Sequence, residues 1–293
     1  MEFWLGASFA DTGEYTGLAR AADRLGYDVV TVSDHLFWAD YETPYPYTRT
    51  GTPPYSQDTH WPDPWVTIGA MSSVTERVRF ATNVYIPPVR DLFTVAKAVS
   101  TAAALSGDRA ILGVGVGWCK DEFLQTGQDF HTRGRRLDEM IPALRTLWQG
   151  GTVEHHGPFY DFGPLSITPV PAEPVPVYIG GDSDAALRRA ARVGDGWIGN
   201  RIYSEEQLEA LLARLTGFLA EHGRTLDDLA VIAPIGALPT ADLYRKWADR
   251  GVQGTLSAPW WLATPEEKAA HPDPLALKIA TMERFAEKVI AKM

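Results

Sequence analysis

Cysteine is almost missing from this chain: there is one, Cys119, in 293 residues. No intrachain disulfide can form, which suits a reducing cytoplasm. Long apolar runs are missing too; none reaches the about 18 residues that a membrane-spanning helix needs. The opening MEFWLGASFADTGE has no basic stretch ahead of an apolar one, so it does not read as a secretory signal. Positive charge is in deficit, with 27 Lys and Arg against 37 Asp and Glu and a formal net charge of −10. That argues against DNA or an anionic membrane as the main partner. It leaves room for a small anionic ligand, because helix N-termini bind phosphate even in acidic proteins.

Several catalytic patterns are absent as well. No HxH closes a strand-like run, and HExxH and CxxC do not occur, so no metal site is expected. His155-His156 lies in a Gly/Pro-rich stretch and reads as solvated loop. GxSxG is absent, which removes support for a nucleophile-elbow hydrolase. No lysine ends a strand, which weakens Schiff-base chemistry.

What is present is alternation. Strand-like runs stand at FWLGASF, DVVTV, 77–85, 109–117, 176–181, 196–200, 229–236 and 252–257. Helical spacing follows most of them. Leu92, Val95, Ala96, Val99, Ala102 and Ala103 share one side of a helix over about 91–105, and polar helical sequence runs from the fourth strand to Gln149. Ser204-Glu-Glu-Gln207 is a capping box, and Thr240 caps a later helix. Residues 150–175, rich in Gly and Pro, break the rhythm as an excursion with a short hairpin. Eight β–α repeats predict a closed (β/α)₈ TIM barrel spanning 1–293 as one domain, with a doubly wound sheet as the rival.

In such a barrel the chemistry sits where strands end. DVVTV gives way to Ser33, Asp34, His35, Leu36, Phe37 and Trp38: either a helix cap beside an incidental histidine, or one wall of a site. Asn83-Val84 is odd in a buried strand and marks a bulge, a peptide facing the site or a plain strand end. GVGVGW (113–118) is not a dinucleotide fingerprint, since its spacing is GxGxG. Its glycines permit either tight packing or close approach of a flat ring. Gly180, Gly181 and Asp182 end a strand ahead of a capped helix, which is a phosphate cradle in form and a plain turn otherwise. Cys119 has no neighbouring base and reads as an inert thiol.

VSDHLFW (32–38), ATNVYIPPVRDLFTVAKA (81–98), ALSGDRAILGVGVGW (104–118), EF (122–123), RGRRLDEMIPALRTLWQGG (133–151), GPFYDF (157–162) and PVYIGGDSDAALRRAARVGDGW (176–197), taken in order, resemble the luciferase-like monooxygenase superfamily, in particular its branch using the deazaflavin F420. The resemblance implies a barrel with an excursion after the fourth strand. It implies that the coenzyme ring lies over the strand ends against a non-proline cis peptide, which maps to Asn83-Val84. Gly115, Gly117 and Trp118 would line the ring's pocket, the phosphate would sit near Gly180, Gly181 and Asp182, and Asp34 and His35 would contact the ring or the substrate. It also implies a homodimer. Related sugar-phosphate dehydrogenases carry a glutamate where this chain has Trp118, which points away from glucose-6-phosphate oxidation.

The expected chemistry is hydride transfer between the deazaflavin C5 and an organic substrate. His35 would handle the accompanying proton, and Asp34 would fix its tautomer or contact the ring. Trp38, Trp118, Trp260 and Trp261 would form an apolar wall for a hydrophobic small-molecule substrate. The alternatives are an FMN-dependent monooxygenase, or a flavin-binding barrel without turnover.

Overall fold

The computed structural model describes residues 1–39 and 43–293. In chain order the strands are β1 (Glu2–Gly6), β2 (Val29–Val32), β3 (Arg79–Thr82), β4 (Ala110–Val114), β5 (Val153–His156), β6 (Asp161–Leu165), β7 (Val177–Gly180), β8 (Gly196–Ile198), β9 (Ala230–Ile232) and β10 (Gly254–Ser257). Eight of them close a parallel barrel in the order β1-β10-β9-β8-β7-β4-β3-β2. β5 and β6 form the antiparallel hairpin expected in the excursion.

The barrel is filled from all sides. Trp4, Val29, Ala81, Ile111, Tyr178, Ile198 and Ile232 form one buried cluster, with Leu256 packed against it, so every barrel strand sends a side chain inward. The Trp4 and Tyr178 rings stack at 5.7 Å across the lumen. Neighbouring residues such as Phe3, Leu5, Val30, Phe80, Leu112 and Ile179 point outward into the larger cluster beneath the helices. That two-sided burial is why the strands read as continuous apolar runs rather than alternating ones. Each fully buried aliphatic side chain contributes about 1.5–3 kcal/mol.

The helices are α1 (Tyr15–Leu25), α2 (Pro64–Ser72), α3 (Leu92–Ser106), α4 (Lys120–Gln125), α5 (Arg133–Leu147), α6 (Asp184–Val193), α7 (Glu205–Ala220), α8 (Ala241–Ala248), α9 (Pro265–Ala270) and α10 (Pro274–Lys288). The Ser204 capping box and the Thr240 cap are both formed. Two features depart from the sequence reading. The stretch up to Gln149 holds two helices, α4 and α5, joined through a 3-10 helix at Phe130–Thr132, rather than one polar run. α2 and α9 lie outside the elements that the sequence marks; α2 (PWVTIGAMS) is apolar on nearly every side and shows no helical stripe. None of the described helices is long and apolar enough to cross a membrane.

Candidate active site at the mouth of the barrel

Beyond β2 the chain turns, and adjacent residues separate. Asp34, 4% exposed, accepts both guanidinium nitrogens of Arg90 at 2.7 and 2.8 Å and the Ile86 backbone N–H at 2.9 Å. Burial pushes its carboxyl above the usual range, while Arg90 and the Ile86 N–H oppose that shift. Arg90 also lies over the Tyr85 ring at 4.2 Å. Asp34 therefore ties the segment after β3 to the end of β2.

His35 takes different partners. Its Nδ1 lies 3.1 Å from Glu122 Oε1 on α4, and its Nε2 lies 3.2 Å from the Tyr55 hydroxyl. The tautomer-fixing contact expected of Asp34 is thus made by Glu122. That carboxylate is fully buried, and the same Oε1 accepts the Leu36 N–H at 2.7 Å. Trp61 and Trp118 meet the imidazole edge-on, with ring centroids 4.8 and 5.8 Å away. Tyr45 packs on Trp118 at 5.2 Å, and Trp38 on Tyr55 at 5.8 Å. The chamber around His35 is aromatic, with its acid buried behind the imidazole.

The Asn83-Val84 peptide is cis. Val84 covers the bare faces of two glycines: a Cβ on Gly115 would meet Val84 Cγ2 at 2.7 Å, and one on Gly180 would meet Cγ1 at 2.5 Å. Val84 thus fills the space beside Gly115, where the sequence allows tight packing or a flat ring, and beside Gly180. Gly117 differs, since its φ is +81° and a Cβ would strike Ile86 and Phe123. Gly180→Ala should therefore cost about 1–3 kcal/mol by overpacking. Adding Val84→Ala should recover part of that loss in urea denaturation. An undisturbed midpoint in Gly180→Ala alone would exclude Val84 as the occupant.

A cavity of about 350 Å³ opens between β4, β7, α5 and α6, lined among others by Gly115, Gly180, Ser183, Ala185, Arg133 and Arg135. The α6 N-terminus faces it. Ser183 caps the helix by accepting the Ala186 N–H at 3.3 Å, and the other first-turn amides have no intrahelical acceptor. Arg189 is held by Asp138, whereas Arg135 is exposed and in no ion pair among the described residues. The expected cradle residues divide here. Gly180 lines the cavity, but Gly181 and Asp182 do not; Asp182 pairs instead with Arg201, 2.5 Å away. The anion-suited surface begins one residue later, at Ser183.

Of the other candidates, Trp260 is half-buried against the larger core cluster and Trp261 is 63% exposed. Cys119 is buried, and burial pushes its thiol up to about 12. Its thiolate fraction near pH 8 is then on the order of 10⁻⁴. Iodoacetamide should leave the folded protein unmodified at pH 8 and label it after denaturation, as read by mass spectrometry.

Residues 4–285 match the family model described as luciferase-like monooxygenase. This chain belongs to the luciferase-like monooxygenase family. An uncharacterized Mycobacterium tuberculosis protein is 35% identical over 100% of both chains. The F420-dependent glucose-6-phosphate dehydrogenase of Nakamurella multipartita is 31% identical, covering 94% of this chain and 75% of that one. The F420-dependent tetrahydromethanopterin reductase of Methanopyrus kandleri superposes with a TM-score of 0.71 at 14% identity, covering 99% of each chain, a likeness of fold. Within this family of flavin- or F420-dependent oxidoreductases, the contacts of Glu122 and Tyr55 with His35 add two residues to the candidate site that no sequence motif assigns a role.

Proposed function

We propose that this family member is an F420-dependent oxidoreductase acting on an uncharged, largely apolar small molecule. The arrangement that carries this reading is the buried Glu122–His35 pair, set in aromatic rings, at the same barrel mouth as the α6 cavity. The cavity residues fit a phosphorylated flavin-type coenzyme: first-turn amides and Arg135 suit its phosphate.

When bound, the coenzyme would supply the hydride chemistry. The protein's part is to hold a proton. Glu122 Oε1 already accepts the Leu36 N–H, so it accepts from His35 Nδ1 as well, and Nε2 becomes the nitrogen that gains and loses a proton. The rings of Trp61, Trp118 and Tyr45 keep water from the imidazole. Among the described residues, the imidazole's hydrogen-bond and ring partners are Glu122, Tyr55, Trp61 and Trp118, none of them cationic, which disfavours a phosphorylated substrate there.

The test is a titration with F420 and, separately, FMN. F420 should bind more tightly; tight FMN binding without F420 binding would replace this reading with an FMN-dependent monooxygenase. Ser183→Asp keeps a capping side chain but sets a carboxylate in the cavity, and should weaken coenzyme binding by at least about tenfold. Unchanged affinity would remove the phosphate from the α6 N-terminus.

A further inference from the structure

His35 is poorly placed to meet a substrate itself. Both of its ring nitrogens already have partners. The exchangeable nitrogen, Nε2, faces the Tyr55 hydroxyl. Tyr55 is held in turn by Phe9 stacked at 5.9 Å, Trp61 at 5.1 Å, and Trp38 and Tyr45 each at 5.8 Å. Each aromatic pair adds about 0.5–1.5 kcal/mol beyond its buried area. Swinging Tyr55 aside to admit a substrate to Nε2 would break several such contacts at once. Leaving it in place costs nothing, and a phenol can pass a proton through its oxygen.

We propose that Tyr55 is the catalytic acid–base group that meets the substrate, with His35 and Glu122 acting behind it as positioning and proton-holding residues. This rests on the hydride-transfer reading above. In the reducing direction the substrate gains a hydride at carbon from a reduced deazaflavin. The Tyr55 O–H bond breaks as its proton joins the substrate's electron-rich oxygen or carbon. The same phenolic oxygen takes the proton from His35 Nε2, and the imidazolium becomes neutral imidazole with Nδ1–H still donated to Glu122. The substrate gains one hydride and one proton, and Tyr55 ends as it began. Oxidation of an alcohol runs the steps backward.

Tyr55→Phe removes the hydroxyl and keeps the ring that the four neighbours grip. Reduced F420 is the donor, with two probe acceptors. N-methylnicotinamide, a pyridinium, accepts hydride with no proton; cyclohexenone needs both. The variant should lose about 10²-fold in turnover with cyclohexenone and stay within about twofold with the pyridinium. Equal loss with both would overturn the proposal in favour of a structural role, and no loss with either would overturn it too. A readout independent of turnover is ¹⁵N NMR of His35 in the protein without coenzyme. Tyr55→Phe should shift the Nε2 resonance and spare Nδ1; an unmoved Nε2 resonance would overturn the relay. Failure of the coenzyme reading would appear separately, as absence of F420 binding in both proteins.

Discussion

Glu122→Gln should lower turnover by about 10²-fold while coenzyme affinity stays within about twofold. The substitution keeps shape and still offers an oxygen to the Leu36 N–H, so the backbone of the β2 turn stays put. What disappears is the negative charge behind His35 Nδ1, and with it the support for imidazolium when Nε2 holds the proton. The same change should leave the melting temperature equal or higher. Glu122 is fully buried, and its Oε2 has no hydrogen-bond partner among the described residues, so the wild type holds a partly unsatisfied charge out of water. Burying an amide costs less than burying that charge. Turnover would be measured with reduced F420 and an acceptor that the wild type uses, and stability by thermal denaturation. Full activity in Glu122→Gln would show that His35 does not depend on this carboxylate.

The second large effect is on stability. Asp34→Ala should cost about 3–5 kcal/mol, because Arg90 is left as a buried, uncompensated cation. The Ile86 N–H loses its acceptor as well. Asp34→Ala combined with Arg90→Ala should be less unstable than the sum of the two single changes, since the double variant strands no charge. Urea denaturation of all four proteins measures this coupling. A loss below about 1 kcal/mol in Asp34→Ala would mean that the pair is effectively solvent-exposed.

The barrel was legible because its strands are buried on both faces and so appear as short β-branched runs, DVVTV above all, while helices such as α3 and α7 carry clear stripes. α2 was not, because it is apolar all round and follows a long segment rich in Pro, Tyr and Thr. The site was legible in halves. Asp34, His35, Gly115, Gly180 and the odd Asn83-Val84 pair stand beside strand ends, where a sequence reading looks. Glu122 stands 87 residues from His35 on a six-residue helix, where a lone glutamate reads as surface. The EF of the family resemblance was the only signal that marked it. Tyr55 and Trp61 lie in the long β2–α2 connection, and no periodicity announces their approach to the imidazole. Asp182, adjacent to two glycines, reads from the sequence as part of an anion site; in the fold its carboxylate pairs with Arg201.

The burial of Cys119 has a practical side. The chain's only native thiol is out of reach of solvent, so an added surface cysteine would be its sole attachment point for a dye or spin label. Leu124, 71% exposed on the same short helix as Glu122, is a natural place for one. A label at Leu124→Cys would report ligand arrival at the barrel mouth by fluorescence, before any substrate has been identified.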